Sequence, residues 1–152
     1  MWPFGRDPVK ILRRLVEEKR AIWLDGECID SFPLDYEVVI REMQELTGGA
    51  LAIDEVGFEE LADTVTCSSR GQSYVFDPGD PSDYVDHRLF GFLNGILAAN
   101  GCERRLWNVW SDDLFGQDFM IVFATRAERD ELARKGVPIG AREDGLAPGE
   151  DG

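Results

Sequence analysis

Histidine is almost missing from this 152-residue chain. His87 stands alone, so no two-histidine metal site can be built within one chain, although a single imidazole titrating near neutrality would suffice for a general base. It falls in the first turn of a predicted helix beside Arg88, where a cap or surface position is the plainer expectation. Cysteine is scarce as well: Cys28, Cys67 and Cys102 are odd in number and form no C-x-x-C pair. That argues against a disulfide framework or a zinc site and for reduced thiols in a cytoplasmic protein. Cys67, on a predicted strand, reads as core filling rather than a nucleophile. Ser68-Ser69 lacks the Gly-x-Ser-x-Gly elbow. Neither Gly48-Gly49 nor Gly91 with Gly95 makes a phosphate-binding loop, and the second pair sits on a predicted helix, where small residues permit close packing. No apolar run is long enough for a membrane span, and the opening Met-Trp-Pro-Phe-Gly-Arg-Asp leads into a charged helix rather than a signal or anchor. No cofactor is expected.

Positive charge is the other shortage. Thirty acids against sixteen bases give a formal net charge of -14, which argues against binding a nucleic-acid backbone through the body of the domain. The bases are unevenly placed: Arg6, Lys10, Arg13, Arg14, Lys19 and Arg20 face only Asp7, Glu17 and Glu18 in the same stretch. Two readings follow, a basic helix docked on its own acidic body, or a strongly acidic surface that attracts a basic partner. A third, with Trp2 and Phe4 as interfacial anchors for a helix lying on anionic lipid, is disfavoured by the acids that dominate beyond it.

What is present is enough to build a domain. With 43% hydrophobic residues the chain is not of disordered composition, and its length suits one domain with a real core. Asp7-Pro8 opens a helix to about Arg20 with Ile11, Leu12, Leu15 and Val16 as its apolar stripe. The stretch 23–33, with its Asp25-Gly26 turn signal, carries no clear period. Asp35 is the expected cap of a second helix ending at Gly48-Gly49. Ala50 to Phe58 reads as a strand whose alternation slips at Asp54-Glu55, as a bulge would require. Thr64 to Ser68 and Ser73 to Phe76 flank Gly71 as a hairpin. The central element is a helix between Tyr84 and Asn100, introduced by Pro81-Ser82-Asp83, with Leu89, Phe92, Leu93, Ile96 and Leu97 on one side. Arg105 to Trp110 alternates like a half-buried strand. Phe119 to Ala124 is apolar on both sides and reads as a central strand covered on both faces. Thr125 and Glu128 form a capping box for a last helix ending near Gly136.

Grouped strands rather than βαβ alternation predict an α+β fold, a single domain over 1–140 with a mainly antiparallel sheet of about five strands and about four helices packed on it. From Ala141 onward the composition predicts a disordered acidic tail, 141–152.

Two acidic stretches are candidates for chemistry or binding. Asp77, Asp80, Asp83 and Asp86 recur every third residue, and carboxylates so placed could serve a metal-dependent hydrolase, together with those of 112–118. The interleaved prolines depart from an EF-hand loop and favour turn and cap duty. The second stretch, Trp110, Asp112, Asp113, Phe115 and Asp118, combines an aromatic anchor with carboxylates that would steer a basic partner. The alternative is that Trp110 and Phe115 fold back onto the core.

The pattern Phe92-Leu93-Asn94, Gly101, Arg105-Leu106, Gln117-Asp118, Val122-Phe123 and Thr125 before a short helix ending at Gly136 resembles the C-terminal half of small acidic bacterial proteins, among them immunity proteins of toxin systems. It covers about a third of the chain and consists of packing and turn residues, so no functional residue is carried over. The resemblance implies a non-catalytic protein that occludes a basic partner such as a toxin through an acidic surface. Together with the residues above, it makes a cytoplasmic protein-binding module the leading expectation.

Overall fold

The computed structural model describes residues 7–59, 61–79, 81–110 and 118–146. In chain order the elements are α1 (Pro8–Glu17), β1 (Ala21–Leu24), α2 (Asp35–Leu46), β2 (Ile53–Glu59), β3 (Thr64–Ser69), β4 (Gln72–Phe76), α3 (Arg88–Ala99), β5 (Arg105–Val109), β6 (Phe119–Ala124) and α4 (Arg126–Arg134). The fold is α+β and its strand pairs are antiparallel, but the described residues form six strands rather than about five. They form two three-stranded sheets, β1-β6-β5 and β2-β3-β4, instead of one. The extra strand is β1. Its four residues are too few to show a period, and only pairing with β6, Ala21 opposite Val122 and Leu24 opposite Phe119, identifies it.

β6 is the centre, and all six of its residues are buried. Phe119, Ile121 and Phe123 point into the larger core, with Leu24, Leu106, the apolar faces of α2 and α3, and the inner face of the second sheet. Met120, Val122 and Ala124 point the other way, into a smaller core closed by Leu12 and Leu15 of α1, Leu132 of α4, and Val137 and Ile139. Alternation of side chains along one strand thus feeds two cores. β5 is covered on both faces too. Leu106, Trp107, Asn108 and Val109 are all buried, where the sequence suggested a half-buried strand. Trp107 tolerates this because its indole Nε1 donates to the Ala124 carbonyl at 2.8 Å.

Local signals explain most boundaries. Asp7 caps α1 by accepting from the Val9 N–H, and the Thr125–Glu128 capping box opens α4 with both reciprocal bonds made. The slip at Asp54-Glu55 is a register shift between Ile53 and Glu55. Arg70 and Gly71, at φ of 50° and 79°, make the two-residue hairpin turn. Asp35 is not the cap of α2, since Leu34 holds that position. Its carboxylate instead accepts from the N–H groups of Asp30 and Ser31, tying down the preceding turn. α3 begins at Arg88, later than Pro81-Ser82-Asp83 suggested. The Asp83 carbonyl and the Val85 N–H are used to hold the loop at Ile29 and Gly26, so this stretch cannot also enter the helix.

The segment after α4 returns along the outer edge of β5. Val109 bridges to Ile139, Gly140 donates to Asn108, and Trp110 donates to Pro138. Residues 141 to 146 continue across α3. The buried Asn94 side chain on that helix takes both the N–H and the C=O of Leu106 and also donates to the Glu143 carbonyl. Asn108 donates to Gly145 O at 2.8 Å. Of the acidic tail expected from Ala141, residues 147–152 lie outside the described residues.

Candidate functional site

A cleft of about 370 Å³ opens between β1 and α2. Its walls carry Asp25, Asp30, Asp35 and Glu42, its apolar surface comes from Leu24, Val38 and Val39, Cys28 lies within it, and Trp23 lines its β1 side. None of the described residues that line it is basic. Trp23 and Val38 are large apolar side chains left 49% and 56% exposed, as is Leu34 one helical turn before Val38 at 56%. The Trp23 indole Nε1 donates to Asp118 Oδ2 at 2.9 Å, which helps to fix the orientation of the ring.

The sequence explains this placement. β1 alternates, so Ile22 and Leu24 turn into the larger core while Trp23 is left on the opposite side of a strand only four residues long. On α2 the buried positions Tyr36, Val39, Ile40 and Met43 make one face. Leu34, Val38 and Glu42, spaced by four, fall on its outer flank.

Electrostatics in the cleft are one-sided. Burial, reinforced by Asp25, Glu42 and Asp35, pushes the Cys28 thiol up to about 11, although its backbone hydrogen bond pulls the other way. Burial and the neighbouring Glu45 also raise Glu42 above the ordinary carboxylate range. A cation placed here would relieve both. Cys67 is likewise raised to about 11 by burial, with Arg41 opposing. Both thiols are therefore protonated at neutral pH and poor nucleophiles.

The residues singled out from sequence are distributed differently. Asp118 joins the cleft region through Trp23. Trp110 is partly buried, with its ring against His87 at 4.6 Å between centroids. Asp112, Asp113 and Phe115 lie outside the described residues, as do Trp2, Phe4 and Asp80. His87 occupies the cap position of α3, and its Nδ1 lies 3.0 Å from Asn108 Oδ1 while its ring meets Phe119 at 4.4 Å. Asp77 accepts from Gly79 N–H, and Asp86 accepts from the Arg88 N–H and pairs with its guanidinium. Both serve local turn and cap geometry. Among the described residues no three His, Cys, Asp or Glu side chains come together as a metal would need, and no helix is long and apolar enough to cross a membrane.

The basic stretch of α1 does not close onto the acidic cleft. Leu12 and Leu15 bury its apolar side in the smaller core, and Lys10, Arg13, Arg14 and Lys19 are exposed. Arg20 is committed within the described residues, to Glu128 at 2.8 Å and to Glu18 at 3.8 Å.

Trp23 is the residue that sequence reasoning passed over. It lay in a stretch without period, and the available signal was an aromatic residue two positions before Asp25-Gly26. Compared with known proteins, the chain matches no family model, no curated protein and no solved structure.

Proposed function

We propose that the protein is a non-catalytic binding module that captures a basic segment of a partner protein, with immunity-type inhibition of a toxin as the class its sequence resemblance implies. The observation that carries this reading is the cleft beside Trp23. A half-exposed indole oriented by Asp118 stands at an apolar surface walled, among the described residues, by four carboxylates and no base. Aromatic anchors supply binding energy in such interfaces, while unlike charges set the approach rate and the choice of partner. The aromatic, acidic character is that of the face read from Trp110 to Asp118, centred on Trp23 and sharing Asp118 with it. Chemistry is not needed to use such a surface: the thiol in the cleft is held protonated, and the carboxylates present acceptors to lysine and arginine donors.

Titration with an amphipathic peptide rich in lysine and arginine, followed by indole fluorescence, tests it. Trp23→Ala and the charge reversal Glu42→Lys should each weaken binding by about tenfold or more, the value of one desolvated anchor or charge pair. Raising salt from low to roughly 0.3 M should weaken the wild type and leave Glu42→Lys little changed. Binding that ignores both substitutions and the salt refutes the assignment.

A further inference from the structure

Four strands end the two sheets, and three of them are protected. β5 has its outer edge taken by residues 138–140 and by the Asn94 amide. β1 is only four residues long. β2 carries Asp54, Glu55 and Glu59 and is broken by its bulge. Short length, charge and bulges are how proteins keep an edge from pairing with another chain. β4, Gln72–Phe76, is one residue longer than β1 and has no charge, no proline and an unbroken register against β3. Among the described residues no strand lies on its other side.

The hairpin fixes which groups face outward. A two-residue turn at Arg70-Gly71 makes Ser69 and Gln72 a hydrogen-bonded pair, so Cys67 with Tyr74 and Val65 with Phe76 are hydrogen-bonded by alternation. Ser73 and Val75 therefore direct their N–H and C=O groups away from β3. Val75 is 61% exposed, and beside the edge the partly buried Tyr74 ring stands edge-on to Phe92.

We propose that β4 is a self-association edge, at which two copies of this chain pair antiparallel about a twofold axis to join their β2-β3-β4 sheets into one of six strands. Of the symmetric registers open to the outward groups, the one that keeps every bond within β4 sets Ser73 opposite Val75 of the second copy, with four backbone hydrogen bonds and the two Tyr74 residues facing each other at the axis. In that register Gly71 stands opposite Asp77 and Arg70 opposite Pro78 of the other copy. The exposed Arg70 at one end of each strand, whose guanidinium also donates to the Asn100 carbonyl at 3.1 Å, is thereby brought beside the exposed Asp77 of its mate, twice per dimer. This complementarity, with the absence of charge between the two ends, favours a second copy of β4 over an unrelated strand. The contact is isologous and closes on itself, so it yields dimers rather than filaments.

Sedimentation equilibrium of the full chain, over roughly 1 μM to 1 mM in concentration, reads the result, since an edge contact smaller than a standard interface dissociates in that range. The expected outcome is a mass that rises to twice that of the chain and falls by half in Val75→Lys, with Ser73→Lys as the second variant should the first lose its melting transition. Glu55→Lys on the β2 edge should leave the dimer intact. Tyr74→Cys should give a disulfide-linked dimer on a non-reducing gel, because facing residues of a non-hydrogen-bonded pair lie about 4.5 Å apart at Cα. A chain that stays monomeric throughout, a dimer that survives both lysine variants, or capture of an extended peptide by a strictly monomeric chain overturns the proposal.

Discussion

Gly91 and Gly95 lie one turn apart on the same helix, and replacing each by alanine should shift stability in opposite directions. At Gly95 an added Cβ meets nothing within 4 Å. There the substitution should follow helix propensity alone and stabilise by up to about 1 kcal/mol. At Gly91 the same methyl would lie 2.4 Å from the Asp144 carbonyl oxygen, 2.6 Å from its carbon and 2.7 Å from its Cα. Those are backbone atoms of the segment that crosses α3, and Gly145 next to them is itself pressed against the His87 carbonyl at φ +84°. The segment must move, and its bonds from Asn108 to Gly145 O and from Asn94 to Glu143 O go with it. Two bonds at about 1 kcal/mol each, plus about 1–3 kcal/mol for a buried amide left without an acceptor, outweigh the propensity gain of about 1 kcal/mol. The net loss should be about 2–4 kcal/mol. Urea unfolding of both variants beside the wild type measures it, and in a chain of this size each kcal/mol appears as a melting shift of about 2–4 °C. If Gly91→Ala is as stable as Gly95→Ala, the terminal segment is not held against α3 and the close approach carries no energetic weight.

Two further outcomes follow from the cores and the caps. Ile121→Ala empties a fully buried position on the central strand and should cost about 2–5 kcal/mol in urea unfolding. Glu128 is held below the ordinary carboxylate range by hydrogen bonds from Thr125 and by Arg20 and Arg104, against the cost of its partial burial. A carboxylate lowered in the folded state contributes stability that is complete above its unfolded pKa and is lost as pH falls through the folded one. Melting temperature should therefore drop on acidification, and Thr125→Ala should lose about 1 kcal/mol at neutral pH while showing a shallower acid decline.

The sequence was informative wherever one residue's role is decided within a few positions of it. The capping box at Thr125, the cap at Asp7, the turn at Gly71 and the slip at Asp54-Glu55 each depend on neighbours in the chain, and each appears in the structure at its expected place. The run Phe119 to Ala124 announced burial on both faces by having no polar side. β1 stayed hidden because a four-residue strand has no measurable period. The start of α3 was misplaced because Pro81-Ser82-Asp83, a valid helix signal, is overridden by hydrogen bonds to a loop some fifty residues earlier. The contact of the Trp110 ring with His87, far away in the chain, likewise had no local signal.

The same distinction explains why the cleft beside Trp23 could not be read from sequence while its charge could. Net charge is a property of composition, and thirty acids must lie somewhere on a domain of this size. Their convergence depends on the bonds that the Asp30 and Ser31 N–H groups donate to the Asp35 carboxylate, which set the loop between β1 and α2, and on the pairing of β1 with β6, which brings Trp23 within reach of Asp118, 95 positions away. Glu42 is raised by burial and by Glu45, so the cleft holds its ionised form at some cost to the folded state. A basic ligand would remove part of that cost on arrival. Binding should then stabilise the fold more once Glu42 has ionised than in acid, where it is protonated.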